Sequence, residues 1–96
     1  MLFLVNMVVN VPRDVPTERW DAIVATEKAY AQELQRSGQW AQLWRVVGQY
    51  ANYSIFDVPG NDELHELLAS LPLFPYMTIT VTPLATHPSR ISSDDH

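Results

Sequence analysis

The opening run LFLVNMVVNV, from Leu2 to Val11, is apolar on both of its faces, and few architectures accept such a strand. Its branched and aromatic residues, closed by Pro12, predict a β-strand. Alternation puts Phe3, Val5, Met7, Val9 and Val11 on one side and Leu2, Leu4, Asn6, Val8 and Asn10 on the other. A strand with one wet face would alternate apolar with polar. This one belongs in the middle of a sheet covered on both sides. Asn6 is then an amide between two layers and needs partners, either a hydrogen bond to a neighbouring loop or a contact to a bound substrate.

The next long element is helical. Trp20, Ile23, Val24, Tyr30, Ala31 and Leu34 recur at three- and four-residue spacing between Thr17 and about Arg36. Thr17 suits an N-cap, Glu18 the helix dipole, and Ser37-Gly38 a left-handed C-terminal stop. Glu27 falls on the apolar stripe, although the polar face offered it room. One reading is a salt bridge, or a long side chain reaching past the edge of the core. The other is a partly desolvated carboxylate with a raised pKa, able to take and return a proton near neutrality.

Two strands follow almost without connection, Trp40 to Gln49 and Ala51 to Val58, with a tight link or bulge across 48–52. Leu43, Arg45 and Val47 share one face of the earlier strand, with Trp44 and Val46 on the other. An arginine among apolar strand residues faces a carboxylate, a pocket or water. Tyr50, Asn52 and Tyr53 cluster at the bend and are candidates for the mouth of a pocket. After Pro59-Gly60, Asn61 or Asp62 caps a shorter helix with a Leu64, Leu67, Leu68, Leu71 stripe, stopped by Pro72. His65 flanks that stripe. Phe74 to Leu84 completes the pattern as a last strand, with Met77, Ile79 and Val81 inward.

The expected architecture is α+β: a ferredoxin-like βαββαβ domain over 1–84, with two helices on one face of a four-stranded antiparallel sheet. The apolar second face of the first strand calls for another subunit's sheet, so we expect a dimeric α–β barrel assembly rather than a monomer. The polar segment 85–96 is long for a frayed end, and is expected to pack on a neighbouring subunit.

Composition narrows function. A formal charge of -5, from 6 basic and 11 acidic residues, argues against nucleic acid or an anionic membrane as partner. The apolar start is too short to span a bilayer and lacks a basic region before it, so a cytoplasmic protein is expected. There is no cysteine, no Gly-rich phosphate loop, no spaced histidine cluster for a metal and no serine in a nucleophile elbow. Metal-free, cofactor-free proton transfer is the enzymatic chemistry left open. A non-catalytic oligomer that binds a small ligand is the rival from another class.

The segments MLFLVNM, EKAYAQELQRSGQW, LWRVVGQYANYSIFDV, DELHELL, LPLFPYM and PLATHPS, spread over nearly the whole chain, resemble the muconolactone isomerases of aromatic catabolism. The resemblance implies a small ferredoxin-like subunit that pairs through its sheets, assembles into a decamer, and uses no metal or cofactor. The reaction it implies converts (+)-muconolactone to 3-oxoadipate enol-lactone in the β-ketoadipate pathway. A related enzyme, 5-chloromuconolactone dehalogenase, eliminates chloride to give cis-dienelactone, and that activity is the alternative. In either case Glu27 suits the base, Arg45 the substrate carboxylate, and Asn6, Tyr50, Asn52 and Tyr53 the remaining substrate contacts. One departure stands out. Isomerases of this family tend to carry a basic residue where this chain has Asn6, and some a histidine in place of Leu4. That weakens a proton relay through these positions but leaves abstraction by Glu27 intact.

Overall fold

A computed structural model describes residues 1–91. The strands are β1 (Leu2–Val9), β2 (Trp40–Arg45), β3 (Ala51–Asp57) and β4 (Met77–Leu84); the helices are α1 (Thr17–Arg36) and α2 (Asn61–Ala69). The sheet order is β2-β3-β1-β4, and all three pairings are antiparallel. This is the ferredoxin-like topology, and β1 lies inside the sheet as its two apolar faces require.

The core forms on the helix side of the sheet. Phe3, Val5 and Met7 of β1 are fully buried and meet Phe56, Trp40, Ala31 and Leu34, with the leucine stripe of α2 completing the layer. The opposite face carries Leu4, Asn6, Trp44, Tyr53 and Ile55, with no helix over it among the described residues.

The barrel expectation is corrected. β2 and β4 each pair with one neighbour, so the sheet ends in two open edges and does not close into a barrel. Four strands are too few to curl round and hydrogen-bond to each other; closure takes about eight in small barrels.

Local differences have local causes. β1 ends at Val9 because Asn10 N–H turns to Tyr76 O at 2.7 Å. β2 ends at Arg45, where the chain enters a turn closed by Gln49 N–H to Val46 O at 3.2 Å. Gly48 takes φ +78 there, a left-handed conformation that favours glycine. Val47 is therefore 95 % exposed at the turn instead of sharing a strand face with Leu43 and Arg45. The register irregularity falls earlier, between Trp40 and Gln42. Pro16 and Gly60, not Thr17 and Asn61 or Asp62, occupy the N-cap positions. Phe74–Tyr76 is a 3-10 turn rather than strand, with Tyr76 N–H bonded to Leu73 O at 2.9 Å. Val81, expected inward, is exposed on β4. Of the C-terminal segment, 85–91 is exposed and has no helix or strand, while 92–96 lie outside the described residues.

Candidate active site

Glu27 sits one turn before Ala31 on the buried stripe of α1 and is 9 % exposed. Among the described residues it has no cationic partner. Its Oε1 accepts a hydrogen bond from the backbone N–H of Leu73 at 3.0 Å. Burial pushes its carboxyl above the usual glutamate range, and the Leu73 N–H offsets only part of that rise by favouring the charged form.

Beside Glu27 opens a cavity of about 290 Å³ between α1 and the β2–β3 end of the sheet. Ala31, Trp40, Leu43, Leu73 and Met77 supply apolar walls, while Arg45, Tyr50 and Asn52 supply the polar ones. Pairing of Leu43 with Ser54 and of Arg45 with Asn52 puts these side chains on the helix-facing side of the sheet. The turn at Gly48 then brings Tyr50 back over Arg45, whose guanidinium carbon lies 5.4 Å from the ring centroid. Among the described residues Arg45 has no carboxylate partner, so its charge is available to an anion.

Asn6 and Tyr53 are elsewhere. They share the far face of the sheet, where with Leu4, Thr80 and Thr82 they line a separate hollow. Asn6 reaches the site only through the sheet, its Nδ2 donating to the backbone oxygen of Asn52 at 3.1 Å. His65 is exposed on α2 and does not line the cavity.

Three residues in or beside the cavity carried no readable signal in the sequence. Leu73 contributes a backbone N–H, which no side-chain pattern reveals. Trp40 lines the cavity and lies against Phe56, its ring centroid 4.8 Å away, and its Nε1–H is buried without a partner among the described residues. The bulge after Trp40 disguises its place on the face of Leu43 and Arg45. Ser54 is fully buried and donates to Asn52 Oδ1 at 2.7 Å.

A buried carboxylate of raised pKa, a cation and amide donors around one apolar hollow are the equipment for moving a proton on a small organic anion. Among the described residues no group of three His, Cys, Asp or Glu side chains comes together to hold a metal ion. No described helix is long and apolar enough to cross a membrane.

Comparison with known proteins points the same way. Residues 1–90 match the family model described as muconolactone delta-isomerase. The muconolactone Delta-isomerase of Cupriavidus pinatubonensis is 67% identical over 91 residues, covering 95% of this chain and 99% of that protein. Muconolactone Delta-isomerase 1 of Acinetobacter lwoffii is 61% identical over 95 residues, 99% of each chain. A crystal structure of muconolactone isomerase at 3.3 Å resolution superposes with a TM-score of 0.92 at 53% identity and covers 100% of both chains.

Proposed function

This chain belongs to the muconolactone delta-isomerase family, and we propose that it isomerises (+)-muconolactone to 3-oxoadipate enol-lactone with Glu27 as the base. The observation that carries the residue assignment is the buried Glu27 carboxylate, without a cationic partner among the described residues, opening onto the cavity that also holds Arg45.

The reaction moves a ring double bond and needs no net change of atoms. Glu27, in its charged form, takes a proton from a ring carbon; the C–H electron pair delocalises toward the lactone carbonyl oxygen as an enolate. The same carboxyl then returns the proton to a different ring carbon. A carboxyl with raised pKa suits both halves, because it is a stronger base than an ordinary glutamate and still gives the proton back. Arg45 holds the substrate carboxylate at the rim, and the amide of Asn52 and the hydroxyl of Tyr50 face the lactone oxygens. Proton transfer of this kind asks nothing of a metal or cofactor. Asn6, on the far side of the sheet, supports the site from behind.

The relatives named above are isomerases, which favours isomerisation over dehalogenation. Pure protein incubated separately with muconolactone and 5-chloromuconolactone tests this. Enol-lactone from the first is expected. No conversion of it, with cis-dienelactone and chloride released from the second, would replace the isomerase by the dehalogenase.

The uncovered sheet face also belongs to this reading. Trp44 and Tyr53 are exposed beside half-buried Leu2, Leu4 and Ile55, an apolar surface suited to a second copy. We place two subunits sheet to sheet, and the family resemblance raises the assembly toward a decamer. Sedimentation at micromolar concentration checks it: a single species near 10.9 kDa would overturn both. A small diffusible lactone as substrate suits a cytoplasmic enzyme, and we place the protein there.

A further inference from the structure

Building on the reading of Asn52 as an amide donor, we infer that Ser54 is a positioning residue that holds the Asn52 amide with its NH2 toward the substrate. Ser54 is the polar member of the fully buried set that otherwise comprises Phe3, Phe56, Met7 and Val5. It stands in register with Val5 on one side and Leu43 on the other, where an alanine or valine would suit the packing. A hydroxyl in such a place is costly unless it is hydrogen-bonded. Its bond goes to Asn52 Oδ1 at 2.7 Å, from two positions along the same strand face.

The direction of that bond decides which half of the amide the cavity meets. Asn52 is held at both of its oxygens, Oδ1 by Ser54 and the backbone oxygen by Asn6 Nδ2 at 3.1 Å. Its NH2 has no partner among the described residues, and Asn52 lines the cavity of Glu27. Were the amide to flip, Nδ2 would donate to the Ser54 oxygen, and the serine's own hydrogen would need another acceptor. Among the described residues Ser54 Oγ makes no hydrogen bond to any acceptor other than Asn52 Oδ1. Burial of Ser54 therefore favours one of two amide orientations that are nearly equal in shape. The favoured one offers N–H groups to an oxygen that gains negative charge as the enolate forms; the other would set the amide oxygen against it.

A double-mutant cycle tests the inference with muconolactone as substrate. Asn52→Ala removes the donor and is expected to cost on the order of 10²-fold in kcat, as for a lost oxyanion donor. Ser54→Ala keeps the donor but frees it to turn, and a loss of at least about twofold but short of that of Asn52→Ala, in kcat more than in KM, is expected. Added to Asn52→Ala, Ser54→Ala should cost nothing further. Ser54→Cys keeps the volume and a weak donor, should fall between wild type and Ser54→Ala, and carries the same cycle if Ser54→Ala does not fold. Normal turnover by Asn52→Ala would remove the reading on which this rests. An impaired Asn52→Ala beside an unimpaired Ser54→Ala would leave Asn52 standing and overturn the role of Ser54. Losses that multiply in the double variant would overturn it too, since Ser54 would then act independently of Asn52.

Discussion

Leu73 N–H donates to Glu27 Oε1 at 3.0 Å, so the 3-10 segment before β4 holds the one carboxylate on the buried face of α1. The bond engages one oxygen and favours the charged form, while the surrounding apolar walls disfavour it. The balance leaves a carboxyl that is positioned yet reluctant to ionise. Tyr76, at the end of the same segment, packs edge-on against Trp20 at 5.3 Å and ties it to the start of α1.

Glu27→Gln keeps the acceptor for Leu73 and nearly the side-chain volume, but removes the proposed base. Turnover is expected to fall by at least ~10²–10⁴-fold with the fold retained. Steady-state assay and circular dichroism of the purified variant check it. A folded Glu27→Gln protein with wild-type turnover would redirect the search for the base to Tyr50, which also lines the cavity.

The raised carboxyl also predicts a pH dependence of stability. Glu27 binds its proton more tightly in the native chain than in the unfolded one. As pH rises from the ordinary glutamate range to the folded value, the unfolded state loses its proton first and stability falls. Glu27→Gln escapes that loss. Its melting temperature should gain on wild type as pH rises from the ordinary glutamate range, about pH 4, until Glu27 is ionised in the native chain, with the smallest gap at the acid end. A gap that widens toward acid would mean that the native fold stabilises the carboxylate. The acid limb of kcat should lie above an ordinary glutamate for the same reason.

Arg45 is exposed at the rim, so its removal should spare the fold. Arg45→Gln loses the charge that we propose meets the substrate carboxylate, and a roughly tenfold rise in KM with a smaller change in kcat is expected. The effect should shrink at high salt. Tyr50→Phe keeps the ring beneath the guanidinium whereas Tyr50→Leu does not, so the leucine variant should add the KM defect to whatever loss of the hydroxyl costs both variants. An unchanged KM in Arg45→Gln would assign the carboxylate to other donors.

Much of this was legible in the residues. The two apolar faces of Leu2–Val9 announced an interior strand, and the α1 stripe announced a buried carboxylate at Glu27. Alternation placed Arg45 with Leu43 correctly, because β2 is regular from Gln42 to Arg45. What stayed hidden depends on register between distant segments. Asn6 and Asn52 belong to adjacent strands, yet only the pairing of Met7 with Asn52 and of Asn6 with Tyr53 tells which of them faces the helices. Nothing in the local pattern around Asn6 separates the two sides, since both are apolar. The open sheet was equally out of reach: apolar character shows that a face wants cover, not that strands close upon one another.

Segment 85–96 follows β4 directly and is exposed as far as residue 91. We expect it to cross a neighbouring subunit. Truncation after Leu84 keeps β4 whole, and should lower both the sedimentation coefficient and the melting temperature through weaker assembly. Identical sedimentation and melting would show that the segment takes no part.

The sheet face offers the sharpest assembly test. Trp44 is 54% exposed and lies outside the helix-side core, so a change there leaves Phe3, Val5 and Met7 packed as before. Trp44→Glu puts a charge where a second sheet would otherwise bury apolar surface, and an unpaired buried charge is strongly unfavourable. The variant should sediment as a smaller species at micromolar concentration and melt at a lower temperature that depends on protein concentration. Trp44→Phe, which stays apolar, should assemble like wild type. Retention of the full assembly by Trp44→Glu would show that subunits meet through another surface, and would leave Tyr53 and Ile55 without the partner assigned to them.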